Sequence, residues 1–400
     1  LMHRTYLPHP FEERLAFLAA NLNTVVGDTQ GSLSLNLLSK DLDEGLALAR
    51  EVLTAPRFQE NKAALYRQQT LQQLQQRNDD SADIEARERS HLSFGPEFWM
   101  TRPPTAPSIN AITTDDLRAF HRRWFHPANF VVAVNGDFAR ADMVARLEKF
   151  FSDWPFAGDP APPVPTNSIL AAPGLYLHDK DVNQGRVSIL LPGVLREDPD
   201  FPAIRVMNDI LGGGGFTSRI MNRVRSDEGL AYSAGSAFPG GVEFPLPFRA
   251  AFQSKSRTVA YAASLVLEEV RRIAEEPVGA QELETSRRSF IDTFPRLFST
   301  KTQVATRFAD DEFTGRFAKD PTFYQTYRDR IAAVTVADVQ RVARAHLDPA
   351  RVVILVVGQK DEVLLGHPDH AVKLPDLAGG KVTTLPARDP LTLEPLPTAN

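Results

Sequence analysis

The run Gly212-Gly213-Gly214-Gly215, followed by Phe216 and then by Arg225 and Gly229-Leu-Ala-Tyr232-Ser, is the stretch of this 400-residue chain best suited to chemistry. Successive glycines let the backbone turn at positive φ and come close to another group. Three readings fit such a run. One is a phosphate cradle, but it lacks the Gly-Lys-[Ser/Thr] ending of a P-loop and no strand leads straight into it. One is a helix C-cap and turn. The third is a close backbone approach to a peptide or to a facing subunit. The absence of cysteine excludes disulfides, thiolate catalysis and Cys-zinc sites. His121, His126 and His346 stand at the ends of expected helices and read as capping or surface residues. His367-Pro-Asp-His370 offers an adventitious metal pair in the tail.

The elements that position these residues follow a duplicated plan. Ile109-Asn-Ala-Ile-Thr-Thr-Asp-Asp-Leu…His126-Pro-Ala-Asn-Phe-Val-Val-Ala-Val-Asn-Gly136 aligns without a gap on Ile331-Ala-Ala-Val-Thr-Val-Ala-Asp-Val…Asp348-Pro-Ala-Arg-Val-Val-Ile-Leu-Val-Val-Gly358, 222 positions later. A repeat this long marks two similar supersecondary units. Each copy reads as a helix opened by a capping-box-like Thr (Thr113, Thr335) with Asp three residues on, then a Pro turn and a strand, which is Phe130–Val134 in the first copy. Leu33, Leu35 and Leu37 alternate with polar residues as a half-buried strand does. Ser39 offers an N-cap to a helix carrying Leu42, Leu46, Ala49 and Leu53. A long helix is expected over 59–77. In the second half the pattern predicts a strand at 186–191 and helices near 201–211, 258–276 and 281–298.

Each half thus reads as α+β, and the repeat makes two homologous domains the expected plan. The expected boundaries are 1–154, a connector at 155–169 with five prolines between Pro155 and Pro165, a second domain at 170–362, and an extension at 363–400. Counting back by the repeat spacing puts the start of the first domain about fifty residues ahead of residue 1. The net charge of −5 disfavours nucleic acid and anionic membranes as partners. No apolar run approaches the roughly 18 residues of a membrane span. A chain free of cysteine fits a periplasmic or otherwise extracytoplasmic setting.

Gly-Gly-Gly-Phe-x-Ser-Arg, then Arg225 and, seven residues later, Tyr232 within Gly-Leu-Ala-Tyr-Ser, resembles the second-domain signature of pitrilysin/insulinase-type (inverted zincin) peptidases. The repeated Ile-x-x-Ile-Thr-x-x-Asp-Leu…Pro-x-Asn…Val-x-Gly-Asp unit and Asp181-Val-Asn-Gln-Gly-Arg-Val are similar to that family's domain ending and second-domain opening. The resemblance runs from about Glu12 to Gly358. It implies an α+β fold of two homologous domains, each a mainly antiparallel sheet with helices on one face, and a split site. One domain carries His-x-x-Glu-His, whose histidines bind zinc and whose Glu activates water, with a further Glu from a downstream helix. The other contributes Arg225 and Tyr232 to hold a peptide and polarise its scissile carbonyl, beside Gly212, Gly213, Gly214, Gly215 and Phe216 as substrate-binding residues. A phenol can donate to a tetrahedral oxyanion, and a guanidinium can grip a peptide carbonyl.

The departures from the family pattern are equally informative. No His-x-x-Glu-His occurs; the nearest string, His9-Pro-Phe-Glu12-Glu13, has Glu at the second ligand position. The helix that would carry the further Glu presents Gln68, Gln69, Gln72 and Gln73, and a neutral amide is a poor zinc ligand. The implied function is a subunit inactive alone, binding no metal, that completes the site of a homologous zinc-binding subunit for cleavage of unfolded peptides. The alternative is a structural or peptide-binding core subunit of a larger assembly.

Overall fold

The computed structural model describes residues 9–154 and 161–397. Their contacts form two compact units that interleave along the chain. The first holds the described residues up to Gln75 together with Pro104–Val164 and Phe298–Phe313. The second holds Gln76–Pro103, Pro165–Leu297 and the described residues from Thr314 onward. The expected connector lies partly outside the described residues, at 155–160; residues 161–169 form neither helix nor strand.

In the first unit, strands β1 (Asn21–Val26) and β2 (Gly31–Asn36) form an antiparallel hairpin. Ser39 does not cap the next helix. Ser39–Asp41 makes a turn of 3-10 helix, and the α-helix Leu42–Thr54 begins beyond it. Its Leu48, Ala49, Val52 and Leu53 face inward at helical spacing and form the unit's core with Phe58, Ala63, Leu74 and Met143. The helix Thr114–Trp124 starts on a complete capping box: the Thr113 amide donates to Asp116 Oδ2 at 2.8 Å, and the Asp116 amide donates back to Thr113 Oγ1 at 3.2 Å. The strand expected at Phe130–Val134 does not form, and residues 131–136 are exposed and without strand pairing among the described residues.

In the second unit the corresponding strand forms and is the centre of the fold. A seven-stranded sheet has the order β5-β7-β4-β8-β3-β9, with the short β6 pairing β4. Its strands are β3 (Gly174–Asp179), β4 (Gln184–Leu195), β5 (Ala231–Ala237), β6 (Gly240–Gly241), β7 (Leu246–Lys255), β8 (Val353–Gly358) and β9 (Val382–Leu385). Pairing is antiparallel from β5 through β8 and parallel across β8, β3 and β9. All six β8 residues are buried, as a continuous apolar run flanked on both sides should be. Val259–Glu275, Val336–His346 and Phe201–Asn208 form a helical layer on the sheet; a Cβ on Gly185 would meet Val259 at 2.8 Å and Val356 at 3.8 Å. The helix Ser81–Phe94 covers the opposite face, where Ile84 and Leu92 pack on Leu190, Val353, Leu355 and Val357.

Ser81–Phe94 comes from the first half of the sequence yet belongs to the second unit. Its repeat counterpart, Lys301–Phe313, comes from the second half and belongs to the first. The two halves thus exchange equivalent helices. This is why the compact units are not contiguous stretches of chain.

Candidate functional site

The glycine run grows out of the helix Phe201–Asn208. The helix widens at Asp209–Gly213 into a turn closed by the Gly214 amide on Asp209 O at 2.8 Å, an i to i+5 bond. Gly212 is buried where this turn meets β5: a Cβ there would lie 2.4 Å from Ser236 Oγ. Asn208 fastens the same junction, accepting from Ser236 Oγ at 2.7 Å. Gly213 and Gly214 are pressed against Asn208 and Asp209. Only Gly215 takes positive φ, at 61°. The run is therefore chiefly a close approach of turn to strand, and the buried Gly212 is not placed to touch a substrate. Gly213, Gly215 and Phe216 are exposed.

Arg225 stands in the wide turn Asn222–Asp227, and Tyr232 is the second residue of β5. The Arg225 guanidinium carbon lies 4.8 Å from the Phe216 ring centroid and 4.9 Å from that of Tyr232. Both rings point outward, Tyr232 being 85% exposed and Phe216 69%. A cation resting on two exposed rings is held in place without being desolvated, a contact of about 0.5–1 kcal/mol per ring. Among the described residues β5 pairs with no strand but β7, so its other side is an edge free of strand pairing, met at Ser236 by the glycine turn and by Asn208 Nδ2, which donates to Ser236 O at 3.4 Å. Beside Tyr232 is a recess of about 460 Å³ lined by Gln184, Gly229, Ser233, Gln253, Lys255 and neighbouring backbone. Its lining holds one cation and no carboxylate.

Several groups here escaped the reading of the sequence. Gln253 and Lys255 share one face of β7 at period two with Arg249, a pattern visible in the sequence once β7 is recognised. Asp209 sits under the glycine turn, and burial pushes its carboxyl above the usual range. His121 and His126 are buried rather than superficial. The His121 ring donates from Nε2 to Leu53 O at 2.7 Å, and burial lowers its pKa. His367 and His370 lie against Tyr261, the His370 ring stacked at 3.6 Å.

No group of three or more His, Asp or Glu side chains that could hold a metal is found among the described residues. Gln68, Gln69, Gln72 and Gln73 lie on the exposed face of the helix Glu60–Gln76. No helix among the described residues is long and apolar enough to cross a membrane.

Residues 111–290 match the family model of the peptidase M16 inactive domain. An uncharacterized zinc protease of Streptomyces coelicolor is 30% identical over 211 residues, 51% of this chain and 46% of that protein. The chain thus spans about half the length of that relative. The non-peptidase homolog YmxG of Helicobacter pylori is 25% identical over 86% of this chain and 78% of its own length. The crystal structure of a peptidase M16 inactive domain from Pseudomonas fluorescens superposes with a TM-score of 0.76, covering 87% of this chain and 82% of that one at 23% identity. The α+β fold, the glycine turn packed on its edge strand and these similarities liken the chain to the pitrilysin/insulinase-type peptidase M16 family, and residues 111–290 to its inactive domain.

Proposed function

We propose that this chain is the substrate-holding subunit of a two-chain zinc peptidase. A homologous partner bearing His-x-x-Glu-His would bring the zinc ion and the water-activating Glu. The observation that carries this reading is the Arg225 guanidinium held against two exposed rings at the open edge of β5. An aromatic kept for stability is normally buried; Tyr232 is not. An extended, unfolded peptide could pair its backbone with β5, which gives affinity with little sequence preference. Arg225 would then hold a peptide carbonyl, and the Tyr232 hydroxyl would donate to the oxyanion that develops on the scissile group. Phe216, with Gly213 and Gly215, would border the same peptide.

The name of the Helicobacter relative, a non-peptidase homolog, supports a second reading in which the same edge binds peptides without contributing to hydrolysis. One experiment separates the two. The chain is reconstituted with its homologous zinc-binding subunit, and turnover and binding of a fluorogenic unstructured peptide are measured for Tyr232→Phe and Arg225→Ala. The proposal expects Tyr232→Phe to lower kcat by roughly 10²–10³-fold, the cost of one oxyanion donor, with little change in KM. Arg225→Ala should raise KM. Unchanged turnover in Tyr232→Phe with peptide affinity still dependent on Arg225 would favour the binding-only reading.

A further inference from the structure

Lys255 is a cation without a counter-charge in a recess that offers no carboxylate. It ends β7, and its partner across the sheet is Gln184, the first residue of β4; one pair further in on the same face, Gln253 stands opposite Arg186. Residues directly opposite in an antiparallel pair project to one face of the sheet, about 4.5–5.5 Å apart at Cβ. Gln184 and Gln253 thus border Lys255 in the one recess. Thr258, at the N-terminus of the helix Val259–Glu275, lines it as well, and the positive end of that helix dipole favours an anion there.

The other cations on this face are matched. Arg249 lies 3.3 Å from Glu85 Oε1, and Arg186 lies 3.9 Å from Asp80 Oδ1. Glu228, beside the recess wall at Gly229, is held by Arg223 at 3.2 Å. Among the described residues Lys255 makes no ion pair. On an open surface an unmatched lysine means little, because water solvates it. Here it shares a concave recess of about 460 Å³ with two carboxamides and the hydroxyls of Ser233 and Tyr232, all able to donate to one carboxylate. Tyr232 borders both this recess and the Arg225 guanidinium. A peptide whose carbonyl meets Arg225 and Tyr232 therefore has a neighbouring side chain at the mouth of the recess.

We infer that the recess is an anion subsite for the bound peptide, in which Lys255, with Gln184 and Gln253, takes a carboxylate next to the scissile bond. This rests on the reading of Arg225 and Tyr232 as the pair that holds the peptide. It makes the preferred substrate acidic at that position, through an Asp or Glu side chain or through the carboxylate of a chain that ends there.

The test measures binding of dye-labelled unstructured peptides to the full 400-residue chain by fluorescence anisotropy. The peptides are blocked at both ends and differ only in a central Glu, Gln or Lys; a further Gln peptide has a free C-terminus. The Glu peptide should bind about 2–5-fold tighter than the blocked Gln peptide, the worth of one partly screened ion pair, and the advantage should shrink as salt rises. Lys255→Gln should erase it, and Lys255→Glu should transfer it to the Lys peptide. An advantage of the free-ended Gln peptide alone, again lost in Lys255→Gln, would assign the subsite to a chain end. Equal binding of all the peptides to the parent chain, or an acidic advantage that survives Lys255→Gln, overturns the inference. Arg225→Ala separates it from the reading beneath it. Weaker binding of every peptide in that variant, with no acidic preference in the parent, leaves Arg225 in its role and removes the subsite. An acidic preference set by Lys255 and indifferent to Arg225 keeps the subsite and takes Arg225 out of the peptide's path. Absence of binding by every peptide sinks both.

Discussion

Gly212 and Gly215 stand three positions apart in one run and are glycine for different physical reasons. A Cβ on Gly212 would lie 2.4 Å from Ser236 Oγ and 2.5 Å from its amide nitrogen, so any side chain must lift the turn off β5. Gly215 has open space around it but takes φ of 61°. Gly212→Ala should cost about 1–3 kcal/mol, as overpacking does, and Gly212→Asn more. Gly215→Ala should cost about 1–2 kcal/mol, and Gly215→Asn much less, because asparagine visits the left-handed region readily. Urea midpoints of the four variants check this; rescue of Gly212 by asparagine would show that its constraint is conformational after all. The sequence displays four glycines alike, since the group that excludes a side chain at Gly212 belongs to a residue 24 positions downstream on another strand. His121 is a case where a usable signal existed. Its repeat counterpart is Ala343, a small residue on the inner face of a helix, and that position is buried in both copies.

At the scale of elements, what was readable was local. The capping boxes at Thr113 and Thr335 follow from two side chains three residues apart and form in both copies. The partners of an element are decided elsewhere. Val131–Asn135 has the composition of a strand, but a strand is made by its neighbours. The helix Ser81–Phe94 has a polar sequence, and nothing in its apolar spacing marks it as a core element, because part of what it buries is charged. Glu85, 6% exposed, accepts from Ser188 Oγ at 2.5 Å, from Arg89 Nε at 2.9 Å and from Arg249 at 3.3 Å. Ser188 in turn accepts from Arg249 Nε at 2.8 Å. Removing the carboxylate leaves these donors facing a buried gap. A buried charge pair broken on one side costs roughly 3–5 kcal/mol. Because both arginines are partly exposed, Glu85→Ala should fall at about 2–3 kcal/mol, with Glu85→Gln between it and the parent. An Ala variant with an unshifted denaturation midpoint would mean that water replaces the carboxylate and that the network does not hold this helix to the sheet.

At the scale of the molecule, the exchanged helices decide what can fold alone. The second domain expected from the sequence begins after the proline-rich connector, yet the apolar face formed by Leu190, Val353, Leu355 and Val357 is covered by Ser81–Phe94 from before that connector. A fragment of residues 165–400 would leave this face open to water. At about 1.5–3 kcal/mol for each buried aliphatic side chain, the loss is comparable with the whole stability of a typical domain. The same fragment would carry Lys301–Phe313 without the unit it belongs to. We therefore expect the 165–400 fragment to lack a cooperative thermal transition and to bind dyes that report exposed apolar surface. A peptide of residues 76–103 added in trans should restore the transition, and a peptide in which Ile84 and Leu92 are both replaced by Ser should not. Cooperative melting of the fragment alone at the temperature of the parent chain would mean that the second unit is self-sufficient and the exchanged helix an accessory. Loss of cooperativity with recovery on adding the peptide would mean that the repeat records two similar sequences whose folding is shared. That in turn would account for a duplicated pattern that predicts the elements well and their grouping poorly.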